Sequence, residues 1–184
     1  EAGRFDALLA RLETVLVDQE GKDEESFRSA IIEMTPRLYN FAMSLTKNPS
    51  AADDLVQDTL VRAWTKADSF ARGTNLTAWL FTILRNLFYS EQRKRKREVE
   101  DADGALAGRL TSLPEQEIRV EMREFQEALN ALPFSQREAL VLVGAQSFTY
   151  EEAAEICGVA VGTMKSRVSR ARGRLIETLG MNGT

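Results

Sequence analysis

Residues 158–176 read GVAVGTMKSRVSRARGRLI and carry five cations, Lys165, Arg167, Arg170, Arg172 and Arg174, with no acid among them. The 184-residue chain around them has a net charge of −4, so this stretch runs against the composition. On a helix turning roughly 100° per residue, Met164, Val168, Ala171 and Leu175 share one face. The opposite face centres on Ser166, Ser169, Arg170 and Gly173, with Lys165 at its edge. Small and hydrogen-bonding side chains on such a face can reach base edges in a DNA major groove, while Arg167, Arg172 and Arg174 beside it can hold phosphates. A carboxylate there would repel the DNA backbone. A solvated basic helix is the plainer reading of a charge run. Its upstream neighbour favours DNA: Thr149 and Glu152 have capping-box spacing, Ala153 and Ala154 are small enough for a close helix crossing, and Gly158 suits a left-handed turn. Together these features spell helix-turn-helix.

A second cationic stretch, RNLFYSEQRKRKRE, spans residues 85–98 and includes the unbroken run Arg93, Lys94, Arg95, Lys96, Arg97. Trp79, Phe81, Phe88 and Tyr89 stand close to Arg85 and Asn86. Aromatic rings, cations and an amide donor are the groups that hold single-stranded nucleic acid, although most of these rings are also expected to serve as core. A third feature is acidic: Asp53, Asp54, Gln57, Asp58 and Val61 lie away from the apolar face of their helix, either as a solvated stripe or as a dock for a basic helical partner.

Other chemistries lack their residues. The chain has no histidine, the commonest general base and metal ligand, and a single cysteine can form neither a zinc cluster nor an internal disulfide. No phosphate-binding glycine loop and no nucleophile elbow occurs. The composition therefore points to a binding protein, not an enzyme, with no cofactor and no metal. No apolar run approaches the ~20 residues that span a bilayer, the N-terminus does not resemble a signal peptide, and the lone thiol suits a reducing cytoplasm. The initial Glu suggests a trimmed or processed start.

The elements that must position these groups are all helical. Phe27, Ile31, Met34, Leu38, Phe41 and Leu45 form one face, with a kink or break expected at Pro36. A second helix is expected to start with Ser50 as N-cap and Asp53 and Asp54 in its first turn, burying Ala52, Leu55, Val56, Leu60, Ala63 and Ala67. Gly73 marks a turn before a third helix over 76–97, with Trp79, Leu80, Ile83, Leu84 and Leu87 inside. Residues 99–117 are acidic with Gly, Ser and Pro, and read as a linker. Pro133 is expected to start a further helix, with Val141, Leu142 and Val143 buried. The fold class is all-α: two small helical domains, over 24–98 and 118–184, joined by an acidic linker. Residues 1–23 form an N-terminal extension whose stripe of Phe5, Leu8, Leu9, Leu12 and Leu16 either packs as an ordinary amphipathic helix or acts as a docking or inhibitory one.

In their order and spacing these blocks resemble bacterial RNA polymerase sigma factors of the extracytoplasmic-function type. ADDLVQDTLVRAW is similar to the family's region 2.2, and LTAWLFTILRNLFYSEQRKRKRE to regions 2.3 and 2.4. LPFSQREALVLVGAQSFTYEEAAEICGVAVGTMKSRVSRARGRL is similar to region 4. Finer details resemble the EcfG group of the general stress response. The resemblance implies that Asp53, Asp54, Leu55, Gln57 and Asp58 grip the β′ clamp helices of core RNA polymerase. It implies that Arg85, Asn86, Arg93, Lys94, Arg95, Lys96 and Arg97 serve the −10 element, Asn86 at a flipped base. Lys165, Ser166, Ser169 and Arg170 would read the −35 major groove, with Arg167, Arg172 and Arg174 on phosphates. The implied partners are core polymerase, promoter DNA and a NepR-like anti-sigma factor, with no membrane. The alternative is a sigma-like mimic that binds the anti-sigma factor without recognising a promoter. The intact basic stretch and recognition helix argue against it. A one-component helix-turn-helix repressor would leave the acidic block unexplained.

Overall fold

A computed structural model describes residues 23–101 and 120–180. The stripe Phe5–Leu16 and nearly all of the expected linker lie outside them. The chain divides into a short unit ending at Thr35 and a larger one from Pro36 onward. In the first, residues 23–33 form helix α1, which ends in a turn at Met34. The expected break at Pro36 is present. α2 spans Thr35–Thr46, so Pro36 falls in a first turn, where a missing N–H costs nothing.

In the larger unit, α3 spans Pro49–Thr65. Its N-cap is Asn48, not the expected Ser50: the Asn48 side chain accepts from the Ala51 N–H, and Pro49 takes the first helical position that its fixed φ favours. Asp53 and Asp54 therefore stand beyond the first turn. The buried face is Ala52, Leu55, Val56, Thr59 and Ala63. Leu60 and Ala67 are only half-buried, and Thr59 is buried in their stead because its hydroxyl donates to the Leu55 carbonyl at 2.7 Å. Gly73 takes φ +89 in the turn before α4, which runs from Leu76 to Asp101, past the expected end at 97. Asn75 caps α4 by accepting from the Ala78 N–H. Leu80, Phe81, Leu84 and Phe88 face inward, whereas Trp79, Ile83 and Leu87 are half-buried.

The second helical set comprises α5 (Val120–Ala131), α6 (Phe134–Leu140), α7 (Tyr150–Cys157) and α8 (Val161–Thr178). Pro133 is the N-cap residue of α6. After α6, residues Val141–Ala145 widen into a π turn closed by the Gln146 N–H on the Val141 carbonyl. Val141 and Leu142 are buried, while Val143 is half-exposed. Ala128 and Leu132 pack against Ala171 and Leu175, seating the end of α5 on the apolar face of α8. Among the described residues the architecture is helical throughout.

The two helical sets pack on each other. The Phe81 ring stacks on Phe41 at 5.0 Å and meets the edge of Phe148 at 4.9 Å. Phe88 stacks on Phe134 at 5.5 Å. Polar bridges surround these rings. Arg37 donates to the Gln146 side chain and carbonyl at 3.2 and 2.6 Å. The buried Arg137 guanidinium donates to the Ser44 carbonyl in the last turn of α2 and to the Asn130 and Leu132 carbonyls at the end of α5. Two helix C-termini, each with unsatisfied carbonyls and the negative end of a dipole, thus share one cation. Lys47, held at φ +54, donates to the same Asn130 carbonyl at 2.6 Å. Burial, and then the Arg137 charge, lower the Lys47 pKa; burial lowers that of Arg137.

Candidate functional site

The helix-turn-helix forms from the local signals that announced it. Thr149 accepts from the Glu152 N–H at 3.1 Å, and Glu152 returns the bond by accepting from the Thr149 N–H at 2.9 Å. That backbone bond, chiefly, holds the Glu152 carboxyl below the usual carboxylate range. Gly158 turns left-handed at φ +64, and the Val159 N–H closes on the Ala154 carbonyl. α8 then starts at Val161 and buries Met164, Val168, Ala171 and Leu175, the four residues expected. Lys165, Ser166, Ser169, Arg170, Arg172 and Arg174 are exposed; Arg167 and Gly173 are half-buried. Lys165 lies over the Tyr150 ring at 5.8 Å, which holds the cation at the start of the exposed face. Arg170, Arg172 and Arg174 make no ion pair among the described residues.

The basic end of α4 is built differently. Asn86 and Arg93 to Arg97 are exposed. Arg95 pairs with Glu91 one turn back at 3.1 Å, Lys94 stands 4.0 Å from Glu98, and Arg93 donates to the Ser90 hydroxyl at 3.0 Å. Arg85 is set apart from them. Its Nε donates to Glu138 Oε1 at 2.7 Å, its guanidinium covers the Tyr89 ring at 4.5 Å, and the Tyr89 hydroxyl reaches Glu138 Oε2 at 3.5 Å. Glu138 is 1% exposed. Burial pulls the Arg85 pKa down, but the bond to Glu138 and its charge outweigh this and raise it. For Tyr89, burial and then Glu138 raise the pKa. Cys157 lies in the same buried patch, its thiol pushed up to about 12 by burial and then by Glu138.

On α3, Asp53, Asp54, Gln57 and Asp58 are exposed, and Leu55 is turned into the core. The exposed face continues through Val61 and Trp64, which are 64% and 40% exposed, so the stripe joins acids to two apolar side chains. Trp64 carried no separate signal in the sequence. Nor did Arg37, Lys47, Arg137 and Glu138, which bridge the two helical sets. The only hint was a charged pair, Arg137–Glu138, set between apolar runs.

Two family descriptions match the chain: Sigma-70 region 2 over residues 31–98 and Sigma-70, region 4, over residues 122–175. The chain is 58% identical over 159 residues to the ECF RNA polymerase sigma factor EcfG of Rhodopseudomonas palustris (strain TIE-1), covering 86% of this chain and 88% of that one. It is 34% identical over 141 residues to SigM of Bacillus subtilis (strain 168), covering 75% and 85%. A solved structure, the sigma factor RpoE in complex with the anti-sigma factor NepR from Bartonella quintana, superposes with a TM-score of 0.78 at 52% identity, over 86% of this chain and 99% of that one. The chain belongs to the sigma-70 family, as a sigma factor of the extracytoplasmic-function type. Its class recognises DNA and is not enzymatic. Among the described residues no helix is long and apolar enough to cross a membrane.

Proposed function

We propose that this sigma factor docks on core RNA polymerase through the exposed α3 stripe, engages the −10 element through Asn86 and the basic end of α4, and reads the −35 element through α8. The observation that carries this reading is the α8 face: serines and cations stand exposed opposite a buried apolar face, with Arg170, Arg172 and Arg174 in no ion pair among the described residues. Leu55 supports the stripe from beneath, and Val61 with Trp64 gives it an apolar contact of the kind that anchors interfaces. The domain boundaries 24–98 and 118–184 follow from the same reading, with 99–117 as the connecting linker and 1–23 as an N-terminal extension.

The relatives extend the proposal to regulation. The similar protein from Bartonella quintana is held by NepR, and a NepR-like anti-sigma factor is the partner proposed here. The likeness to EcfG supports a role in the general stress response, in the cytoplasm. The test is run-off transcription by core polymerase from a template carrying −35 and −10 elements, with and without the sigma factor. Promoter-dependent transcript is expected. Binding to the anti-sigma factor without any transcript would identify a sigma mimic instead.

A further inference from the structure

α8 carries five cations, and Lys165 alone among them has an aromatic partner among the described residues: its ammonium lies 5.8 Å from the centre of the Tyr150 ring. Both ends of that contact stand on fixed backbone. Tyr150 is the first residue of α7, directly after the Thr149 cap with its reciprocal bonds to Glu152. Lys165 follows Met164, which is fully buried. The lysine stem is the variable part. It carries a compact charge on a flexible four-carbon chain and can turn to a phosphate as readily as to a base edge. We infer that Tyr150 is a positioning residue for Lys165: its ring restrains the ammonium, so that the base pair Lys165 reads is specified by α7 and α8 together. The inference rests on the proposed reading of the −35 element by α8.

A ring suits this task where an acid would not. A carboxylate partner, such as Glu91 provides for Arg95, claims a donor and offsets the charge. A ring attracts the cation through its quadrupole and leaves the net charge in place for DNA. Lys165 is accordingly exposed, and in no ion pair among the described residues. It also stands in the first half of α8, and the N-terminal residues of a recognition helix are the ones that contact base edges. Arg170, further along the same face, needs no such restraint, because its planar fork is preorganised for a bidentate contact. Ordering the lysine before DNA arrives lowers the entropy cost of its base contact. A restraint that favours one base edge over the alternatives adds to discrimination, not to affinity alone.

The test uses the holoenzyme on promoters in which each −35 base pair is replaced in turn. Core polymerase carries the wild-type chain, Tyr150→Phe, Tyr150→Leu, Lys165→Ala, or Tyr150→Leu and Lys165→Ala together. Lys165→Ala should lose at least about five-fold in discrimination at one base pair, which locates the pair that Lys165 reads. There Tyr150→Leu should lose about two- to five-fold, the weight of an exposed cation–π contact, and Tyr150→Phe, which keeps the ring, should match wild type. The double variant should discriminate no worse than Lys165→Ala, because both substitutions remove one contact. Nuclear magnetic resonance of the free chain reads the contact without DNA. The ring current should move the Lys165 ε-methylene protons upfield in wild type and in Tyr150→Phe, and Tyr150→Leu should return them to the random-coil position. Random-coil shifts in the wild type would overturn the positioning, whatever the variants do. Additive losses in the double variant would overturn it too. Equal weakening of every promoter by Tyr150→Phe and Tyr150→Leu would place the Tyr150 hydroxyl on phosphate and overturn it as well. A wild-type holoenzyme indifferent to every −35 base pair is a different result: it would overturn the reading of α8 itself, and this inference with it.

Discussion

α4 and α8 both carry runs of cations, yet the two helices use charge in opposite ways. On α8 the cations share an exposed face with serines, and Arg170, Arg172 and Arg174 pair with no acid among the described residues. On α4, acids are threaded among the cations at Glu91 and Glu98, and Arg85 is claimed by a carboxylate from another helix. A charge run is thus a poor guide to electrostatic availability. Partners one turn away and partners far along the chain decide how much of it is left for DNA.

The largest effect expected from this contrast is at the junction. Cys157 shares the buried patch with Arg85 and Glu138, and its thiol is pushed up to about 12. Labelling of the native protein at pH 8 should be slower than that of the unfolded chain by about a thousand-fold, from the lost thiolate fraction alone. The sign for stability follows. A raised thiol pKa stabilises the fold fully below about pH 9, the unfolded value, and the contribution is lost as pH rises toward 12. Labelling at the rate of a free thiol would show that the α4 junction is open to water, and the contrast with α8 would vanish. Next comes Phe81→Ala. This ring is fully buried and touches both Phe41 and Phe148, so its truncation should cost about 3–5 kcal/mol in denaturant unfolding. A cost below about 1 kcal/mol would mean that the aromatic contact between the two sets carries little.

The same contrast marks what the sequence could disclose. Local features were legible because their causes are local. Four apolar residues at helical spacing determined the face of α8, and Thr149, Glu152 and Gly158 marked the boundaries of α7 through hydrogen bonds only a few residues long. The N-cap of α3 was misplaced by two residues because Ser50 is a good cap in isolation, whereas Pro49 fits the first helical position and hands the cap to Asn48. The π turn at Val141–Ala145 left no trace, since VLVGA reads equally well as ordinary helix. The docking of the two sets was illegible for a different reason. Arg85 and Glu138 are 53 residues apart, and no periodicity reports that a cation and an acid so separated will meet. Faces able to take DNA or a helical partner could be read from the residues around Arg170, Asn86 and Asp53; the particular partners, core polymerase and the −10 and −35 elements, came from the family resemblance, and the observed exposure is compatible with them.

Two further predictions sharpen the description of α8. Arg170→Ala should cost about 1–3 kcal/mol at its own base position and relax specificity there, measured against a panel of −35 variants. If every variant weakens equally, Arg170 holds phosphate instead. Gly158→Ala should destabilise by about 1–2 kcal/mol, because the strain comes from φ +64 itself: a Cβ there would meet nothing within 4 Å. A neutral result would show that the turn relaxes, and with it the angle at which α8 is presented.

The smallest expected effect tests the threading of acids through α4. Glu91 and Arg95 stand one turn apart with the acid N-terminal, the favourable orientation for such a pair. Both side chains are at least half exposed, so water and salt screen them, and a pair of this kind is worth about 0.3–0.5 kcal/mol. Glu91→Gln should lower stability by that amount in low salt, with the difference from wild type disappearing at high salt. The same substitution releases Arg95 from its intrahelical partner while leaving α8 untouched. Binding to a single-stranded oligonucleotide should therefore gain slightly in affinity, and its salt dependence should steepen by up to about one counterion. Binding to a −35 duplex should not change. If duplex and single strand responded alike, the two basic helices would be sharing one electrostatic field, and the division of labour between them would be wrong.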